Sequence, residues 1–202
     1  MKKIILATGN ANKVREASEI LGELGLPVIS MKEAGISSDP EETGETFEEN
    51  ALIKARAIAP MAEGAIILAD DSGLEIDALG GEPGVYSARY LGEDTPYEEK
   101  NAALIERLSG VPKEKRTARF VCAIACVLPD KSSEVVRGTI EGYIGWEPKG
   151  ENGFGYDPIF YVDEYGCSTA EMSPEQKNAI SHRGNALRAM REILKDKNLI
   201  GD

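Results

Sequence analysis

Residues 4–13 read Ile-Ile-Leu-Ala-Thr-Gly-Asn-Ala-Asn-Lys, an apolar run that breaks into a small polar loop just ahead of a helical pattern. That succession decides the fold. Lys3 to Ala7 has the length and composition of a short buried strand. Asn12 to Leu24 carries Val14, Ala17, Leu21 and Leu24 on one helical face, and Gly25 ends it. Outward from there, Pro27 to Met31 forms a second strand, and Lys32 to Gly44, with its proline, glycines and serines, forms a loop. Thr46 and Glu49 have capping-box spacing and open a helix to about Ala59, which Pro60 ends. Ala65 to Ala69 is a further strand, with Asp70-Asp71 at its carboxyl end. The order strand, helix, strand, helix, strand predicts an α/β fold.

Beyond Ser72 the rhythm changes. A glycine-rich loop to Tyr90 leads into a helix over Tyr97 to Leu108. Thr117 to Leu128 and Glu134 to Trp146 are long strand patterns joined by Pro129-Asp130-Lys131-Ser132-Ser133, a hairpin, so the sheet is expected to be mixed. A short helix starts at Ser173-Pro174 and another spans Ser181 to Lys195. With no internal repeat and no linker, one domain with two lobes is expected.

Composition removes several classes of function. The longest apolar run, Phe120 to Leu128, with Val121 to Leu128 its aliphatic and thiol part, has nine residues, against the roughly 18 that a membrane span needs. The 202 residues are 42% hydrophobic and 29% charged, which is ordinary for a folded chain and argues against disorder. Lys plus Arg number 23 and Asp plus Glu 35, so the net charge of 23 − 35 = −12 argues against a general nucleic-acid binder, which needs a basic face. Only four apolar residues precede Thr8-Gly9-Asn10, too few for a secretory signal, and a cytoplasmic location is the default. Cys122 and Cys126 lie four apart in one strand, roughly 13 Å from each other, and cannot bridge. With a single histidine and no Cys-x-x-Cys, a soft-ligand metal site is not expected.

Six places could carry chemistry. Thr8-Gly9-Asn10-Ala11-Asn12-Lys13, between a strand and a helix start, offers backbone N–H groups and side-chain donors to a phosphate, or is an ordinary capped turn. Lys54 falls inside the apolar stripe of Phe47, Ala51, Ala55 and Ile58, where an ammonium must meet an anion or snorkel outward. Glu41-Glu42 and Asp70-Asp71 are adjacent carboxylates whose repulsion a divalent cation would relieve, with Mg²⁺ the natural choice; the alternatives are a solvated acidic loop and a turn. Gly150-Glu151-Asn152-Gly153-Phe154-Gly155-Tyr156-Asp157-Pro158 sets three glycines among two aromatics, leaving ring faces open to a nucleobase unless the rings belong to the core. Lys177, His182 and Arg183 gather cations at a helix start, where the helix dipole disfavours them unless an anion joins.

In order along the chain, Thr8-Gly9-Asn10-x-x-Lys13, Glu41, Asp70-Asp71-Ser72-Gly73-Leu74, Ala78-Leu79-Gly80-Gly81-x-Pro83-Gly84-x-Tyr86-Ser87-Ala88-Arg89-Tyr90, Gly153-Phe154-Gly155-Tyr156-Asp157-Pro158 and Ser181-His182-Arg183-Gly184 resemble the inosine triphosphate pyrophosphatase family. The likeness runs from Ile4 to Leu194. It implies hydrolysis of deaminated purine nucleoside triphosphates such as ITP, dITP and XTP to the monophosphate and pyrophosphate. It also implies Mg²⁺ dependence, a homodimer, and one elongated domain over residues 1–202, a mixed sheet with flanking helices and two lobes around a nucleotide cleft. By the same resemblance Thr8, Gly9, Asn10, Ala11, Asn12, Lys13, Lys54, Ser72, Arg89 and Lys177 would hold the triphosphate. Glu41 and Asp71 would bind the metal, and Asp71 would accept a proton from the attacking water. Phe154, Gly155, Tyr156 and Asp157 would hold the base, whose 6-position His182 and Arg183 would read. A related family of similar fold, the Maf-like pyrophosphatases, and a nucleotide sensor without turnover are the rival readings at this level.

Overall fold

The computed structural model describes residues 2–197, with Asn12 described through its backbone alone. Its elements are β1 (Ile4–Leu6), α1 (Ala11–Leu21), β2 (Val28–Ser30), α2 (Phe47–Ile58), β3 (Ile66–Ile76), α3 (Tyr97–Arg107), β4 (Thr117–Val127), β5 (Ser133–Ile144), β6 (Phe160–Val162), β7 (Cys167–Ser168), α4 (Pro174–Ile180) and α5 (His182–Asp196). The strands form a seven-stranded sheet in the order β2-β1-β3-β4-β5-β6-β7. It is mixed, as expected. Strand β1 runs parallel to both β2 and β3, with Ile4 opposite Val28 and Ile66, whereas β6 is antiparallel to β5 and β7. Neighbours β4 and β5 are joined by a tight turn closed by Leu128 N–H donating to the Ser132 carbonyl, a connection too short for any but a hairpin.

The chain packs as two compact units. The first comprises residues to Asp71, Cys122–Gly138 and His182 onward. Its core joins Ile4, Leu6, Ile66 and Leu68 of the sheet to Ala17 and Leu21 of α1 and to Leu187, Met190 and Leu194 of α5. Ile5 and Ile67 on the opposite pleat are equally buried, as both-face coverage of parallel strands requires. Helix α1 passes into one further 3₁₀ turn, and Gly25 at φ 66° then terminates it, the left-handed conformation that glycine adopts without a Cβ clash.

The second unit comprises Ser72–Val121 and Thr139–Ser181. Its core sets Leu104 of α3 and neighbouring Leu108 against Leu74, Ile76, Phe120, Ile144 and Phe160. Arg116, fully buried here, is a residue that periodicity did not single out. Its guanidinium donates to the carbonyls of Ile144, Leu108 and Gly145 at 2.6, 2.8 and 2.6 Å and lies 4.8 Å from the Trp146 ring centroid. Five rigid donors let arginine tie three loose carbonyl ends at one point.

One boundary differs from expectation in a way that matters for the site. Strand β3 does not end at Ala69 but continues to Ile76, because Leu74 and Ile76 go on burying themselves in alternation after the polar Asp-Asp-Ser run. Asp70 and Asp71 are therefore mid-strand residues, not the carboxyl end of a strand. The short strands β6 and β7 were also not anticipated, since three and two residues are too few to show a period.

Candidate active site

In the first unit the loop after β1 and the middle of β3 meet α2 and the start of α5 through charged side chains. Asp70 and Asp71 are adjacent in an extended strand, so their side chains leave on opposite faces, and each recruits its own cations. On one side Lys13 Nζ lies 2.7 Å from Asp70 Oδ2, and Arg183 Nε donates to the same oxygen at 3.5 Å. Arg183 Nη1 reaches Glu16 Oε2 at 3.2 Å. Burial opposes ionisation of Asp70, but Lys13 and Arg183 override it and hold the carboxyl far below the usual carboxylate range. Burial likewise opposes the charge on Arg183, and Asp70 and Glu16 reverse the effect, leaving its pKa raised. The anion expected beside the cations at the start of α5 is, for Arg183, a protein carboxylate pair; Lys177 does not join that group but lies in the last turn of α4 and pairs with Asp157. The Arg183 contacts use two of the five guanidinium N–H donors.

On the other face Lys54 Nζ bridges Asp71 Oδ1 at 2.8 Å and Glu42 Oε1 at 2.9 Å. The stripe of Phe47, Ala51, Ala55 and Ile58 is buried as its spacing predicts, and the inward lysine finds carboxylates instead of snorkelling out. Burial pushes Lys54 toward neutrality, yet Asp71 outweighs it and the ammonium is kept. For Asp71 the balance goes the other way: burial raises its pKa and Lys54 only partly offsets that. Asp71 Oδ2 is buried and accepts no hydrogen bond. A buried carboxylate oxygen with an unused lone pair fits both a hard cation and a proton.

The acidic loop is fastened from α2. Asn50, fully buried, accepts from Gly44 N–H at 2.8 Å. Thr46 caps Glu49 N–H at 3.2 Å, and Glu49 in return accepts from Glu45 N–H at 2.7 Å, one residue before the position a regular capping box uses. Of the two loop glutamates, the structure brings Glu42 to the Lys54–Asp71 pair, while Glu41 is exposed and outside that network. Among the described residues no group of three or more His, Cys, Asp or Glu side chains converges as a ready ligand shell.

The loop from Thr8 to Lys13 turns as expected. Thr8 Oγ1 accepts from Asn10 N–H at 3.1 Å, and Asn10 Oδ1 accepts from Lys13 N–H at 3.4 Å, capping α1. Gly9, Asn10 and Ala11 are exposed, while the Thr8 N–H donates to the Leu6 carbonyl at 2.8 Å. The Asn12 side chain lies outside the described atoms.

In the second unit the segment 153–157 is ordered by Asp157. This carboxylate is 3% exposed. Its Oδ2 accepts from Phe154 N–H at 2.8 Å and pairs with Lys177 Nζ at 2.5 Å, and its Oδ1 accepts from Thr169 Oγ1 at 2.9 Å. The Phe154 ring is left 60% exposed, with Lys177 Nζ 5.2 Å from its centroid. Gly153, at φ 76°, has no room for a Cβ, which would fall 2.2 Å from Asp157 Oδ2. Phe154 and Gly155 also border a cavity of about 760 Å³ shared with Tyr97, Asn101, Trp146 and Pro148.

Tyr156 departs from the expectation for this segment. Its ring is buried in the core edge-on to Tyr97, and its hydroxyl donates to the Ser87 carbonyl at 2.7 Å. It cannot offer a stacking face, and Phe154 alone of the two aromatics does. Ser72 is half-buried on β3, and the Arg89 guanidinium carbon lies 5.0 Å from the Tyr86 ring centroid. His182 is half-buried as the first residue of α5.

Spacing had not singled out Glu16, Asn50 or Thr169. Their signals are one polar residue on an otherwise mixed helix face, or a short polar residue in a loop, and neither is specific.

The profile of the Ham1 family matches residues 4–193. The dITP/XTP pyrophosphatase of Bacillus subtilis (strain 168) is 50% identical over 194 residues, covering 96% of this chain and 98% of that protein. The protein of the same name from Geobacillus kaustophilus (strain HTA426) is 50% identical over 192 residues, 95% of this chain and 94% of that one. The solved Staphylococcus aureus Ham1 protein superposes with a TM-score of 0.89 at 42% identity, covering 98% of this chain and all of that one. A Ham1 protein from Coxiella burnetii gives 0.88 at 43% identity over 97% of this chain. With a family match over nearly its whole length and full-length relatives at half identity, the chain belongs to the Ham1 family, the family of inosine triphosphate pyrophosphatases that its motifs resemble.

Proposed function

We propose that this chain, acting as one catalytic domain, hydrolyses deaminated purine nucleoside triphosphates (ITP, dITP and XTP) to the nucleoside monophosphate and pyrophosphate. It does so with Mg²⁺, as a cytoplasmic homodimer that cleanses the nucleotide pool. The observation that carries the reading is Asp71: a buried carboxylate with an unpaired oxygen and a raised pKa, held in place by Lys54. The names of the relatives from Bacillus and Geobacillus supply the substrate class.

Asp71 Oδ2 takes a proton from water as the water oxygen bonds to the α-phosphorus, and the bridging oxygen leaves with pyrophosphate. A carboxylate whose pKa lies above the ordinary aspartate value is the stronger base for that step. Lys13 and Lys54, with the loop from Thr8 to Asn12, Ser72, Arg89 and Lys177, bind the triphosphate oxygens and stabilise charge spread over them. Asp71 and Glu41 would hold Mg²⁺, which would supply further neutralisation of the phosphate charge. The family resemblance assigns that role to Glu41, which is exposed in the loop before α2. The exposed ring of Phe154, on the backbone turn through Gly155 that Asp157 orders, stacks on the base. His182 and Arg183 recognise its 6-oxo acceptor, since arginine has only donors to offer. Adenine presents a 6-amino donor there and is rejected, as sites built to bond one group reject the wrong one by about 10⁴ or more.

The test is turnover of ITP in ¹⁸O-labelled water. Attack at the α-phosphorus places the label in IMP and leaves pyrophosphate unlabelled; label in pyrophosphate would refute the proposed step.

A further inference from the structure

Position 138 lies in the middle of β5 and is glycine, although its φ requires none. What requires it is α5. A Cβ built on Gly138 would stand 2.3 Å from the His182 carbonyl oxygen, 2.5 Å from Ala186 N and 3.0 Å from Ala186 Cβ. Two of these three atoms are backbone and cannot rotate aside. The first turn of α5 therefore rests directly on the bare Cα of Gly138, and that turn carries His182 and Arg183.

We propose that Gly138 is a specificity-determining position: by having no side chain it fixes the depth at which α5 begins, and so the place of Arg183. This rests on the reading that Arg183 recognises the 6-oxo group. Restoring ordinary contact, near 3.4 Å instead of 2.3 Å, needs a displacement of about 1 Å between strand and helix. A hydrogen bond of ordinary length does not survive a shift of that size, and misplacement by about 1 Å can cost 10²-fold in rate. The contact of Arg183 with Asp70, already 3.5 Å long, would be broken by the same movement. Gly138 touches neither substrate nor reacting atoms; it is a positioning residue.

Gly142 provides the internal control. It lies on the same strand, and its Cβ would meet the Tyr161 carbonyl oxygen at 2.3 Å, a clash of equal size whose three nearest atoms all belong to Phe160 and Tyr161 and none to α5. Gly138→Ala, Gly142→Ala and Arg183→Ala are compared by kcat/KM on ITP and ATP and by thermal unfolding. Gly138→Ala is expected to narrow the ITP-to-ATP ratio at least tenfold, Gly142→Ala to lower Tm with the ratio unchanged, and Gly138→Ala to add nothing to the narrowing in Arg183→Ala. Should Gly138→Ala give no folded protein, Ala186→Ser crowds the same contact from the helix side by one oxygen, and its ratio is read instead. An unchanged ratio in the position-138 or position-186 variant, while Arg183→Ala narrows it, overturns the role of Gly138 and leaves the base-reading assignment standing. An unchanged ratio in Arg183→Ala overturns both.

Discussion

Replacing Lys54 by methionine removes one charge from a point where three side chains meet, and the structure makes the consequence calculable. Methionine keeps the apolar stem that packs along α2, so little burial is lost. What disappears is two charge-assisted contacts, 2.8 Å to Asp71 and 2.9 Å to Glu42. Each such contact is worth ~1.5–3 kcal/mol when well buried. The Glu42 side chain is 27% exposed, so its share falls to the low end through solvent screening. Asp71 is left without its main compensating charge, the situation that makes broken ion pairs expensive. A net loss of about 2–4 kcal/mol follows, or about 5–15 °C in Tm for a chain of this length. The sign with pH is also determined. Burial already raises the Asp71 pKa against the pull of Lys54; without Lys54 it rises further, so the folded state binds a proton more readily than the unfolded chain. The deficit of the variant should therefore shrink as pH falls from 8 to 5.5 and grow again as pH rises. Thermal unfolding of parent and variant at the two pH values measures this. A Tm within 2 °C of the parent at pH 8, or a deficit that widens in acid, would refute the reasoning.

Asp71→Asn is nearly isosteric, so fold and much of the nucleotide binding should survive while turnover drops by at least the ~10²–10⁴-fold of a lost general base; steady-state rates at saturating Mg²⁺ within a few-fold of the parent would count against it. Glu41→Gln should weaken Mn²⁺ binding, followed by electron paramagnetic resonance, with Tm nearly unchanged. Glu42→Gln should instead lower Tm through loss of the Lys54 contact, and a reversed pattern would exchange the two roles. Burial, assisted by nearby Glu134, pushes the Cys126 thiol up to about 12. A raised folded pKa contributes stability that is whole below the unfolded value and lost as pH climbs toward 12, at a limiting slope of ~1.4 kcal/mol per pH unit. Urea unfolding between pH 8 and 10.5 should accordingly show a shallower alkaline decline in Cys126→Ala than in the parent.

The α/β opening was legible because β1, α1, β2 and α2 each announce themselves locally: an apolar run, a periodic face, a terminating Gly25, a capped Thr46. The course of β3 was not. Asp70-Asp71-Ser72 reads as a strand's end by polarity, but each carboxylate pairs with a cation and Leu74 and Ile76 resume the burial, so the strand runs on to Ile76. The site shows the same division. Lys54 declared itself as a charge within an apolar stripe, but its partners come from a loop and a strand that no spacing rule connects to α2. From spacing alone Lys54→Met looks harmless to stability; the carboxylates at its Nζ reverse that expectation. Tyr156 and Phe154, two apart and flanked by the same glycines, are indistinguishable as stacking candidates until the core claims one of them. Gly138 is the extreme case, since its significance lies entirely in the backbone of a helix more than forty residues away.

The identity of substrate and products is tested most directly by a panel of nucleotides. Purified protein is incubated with Mg²⁺ and, separately, ITP, XTP, dITP, GTP and ATP, and pyrophosphate and orthophosphate are resolved chromatographically. The prediction is stoichiometric pyrophosphate from ITP, XTP and dITP, with ATP a very poor substrate. Orthophosphate as the product, or ATP turned over as readily as ITP, would contradict it.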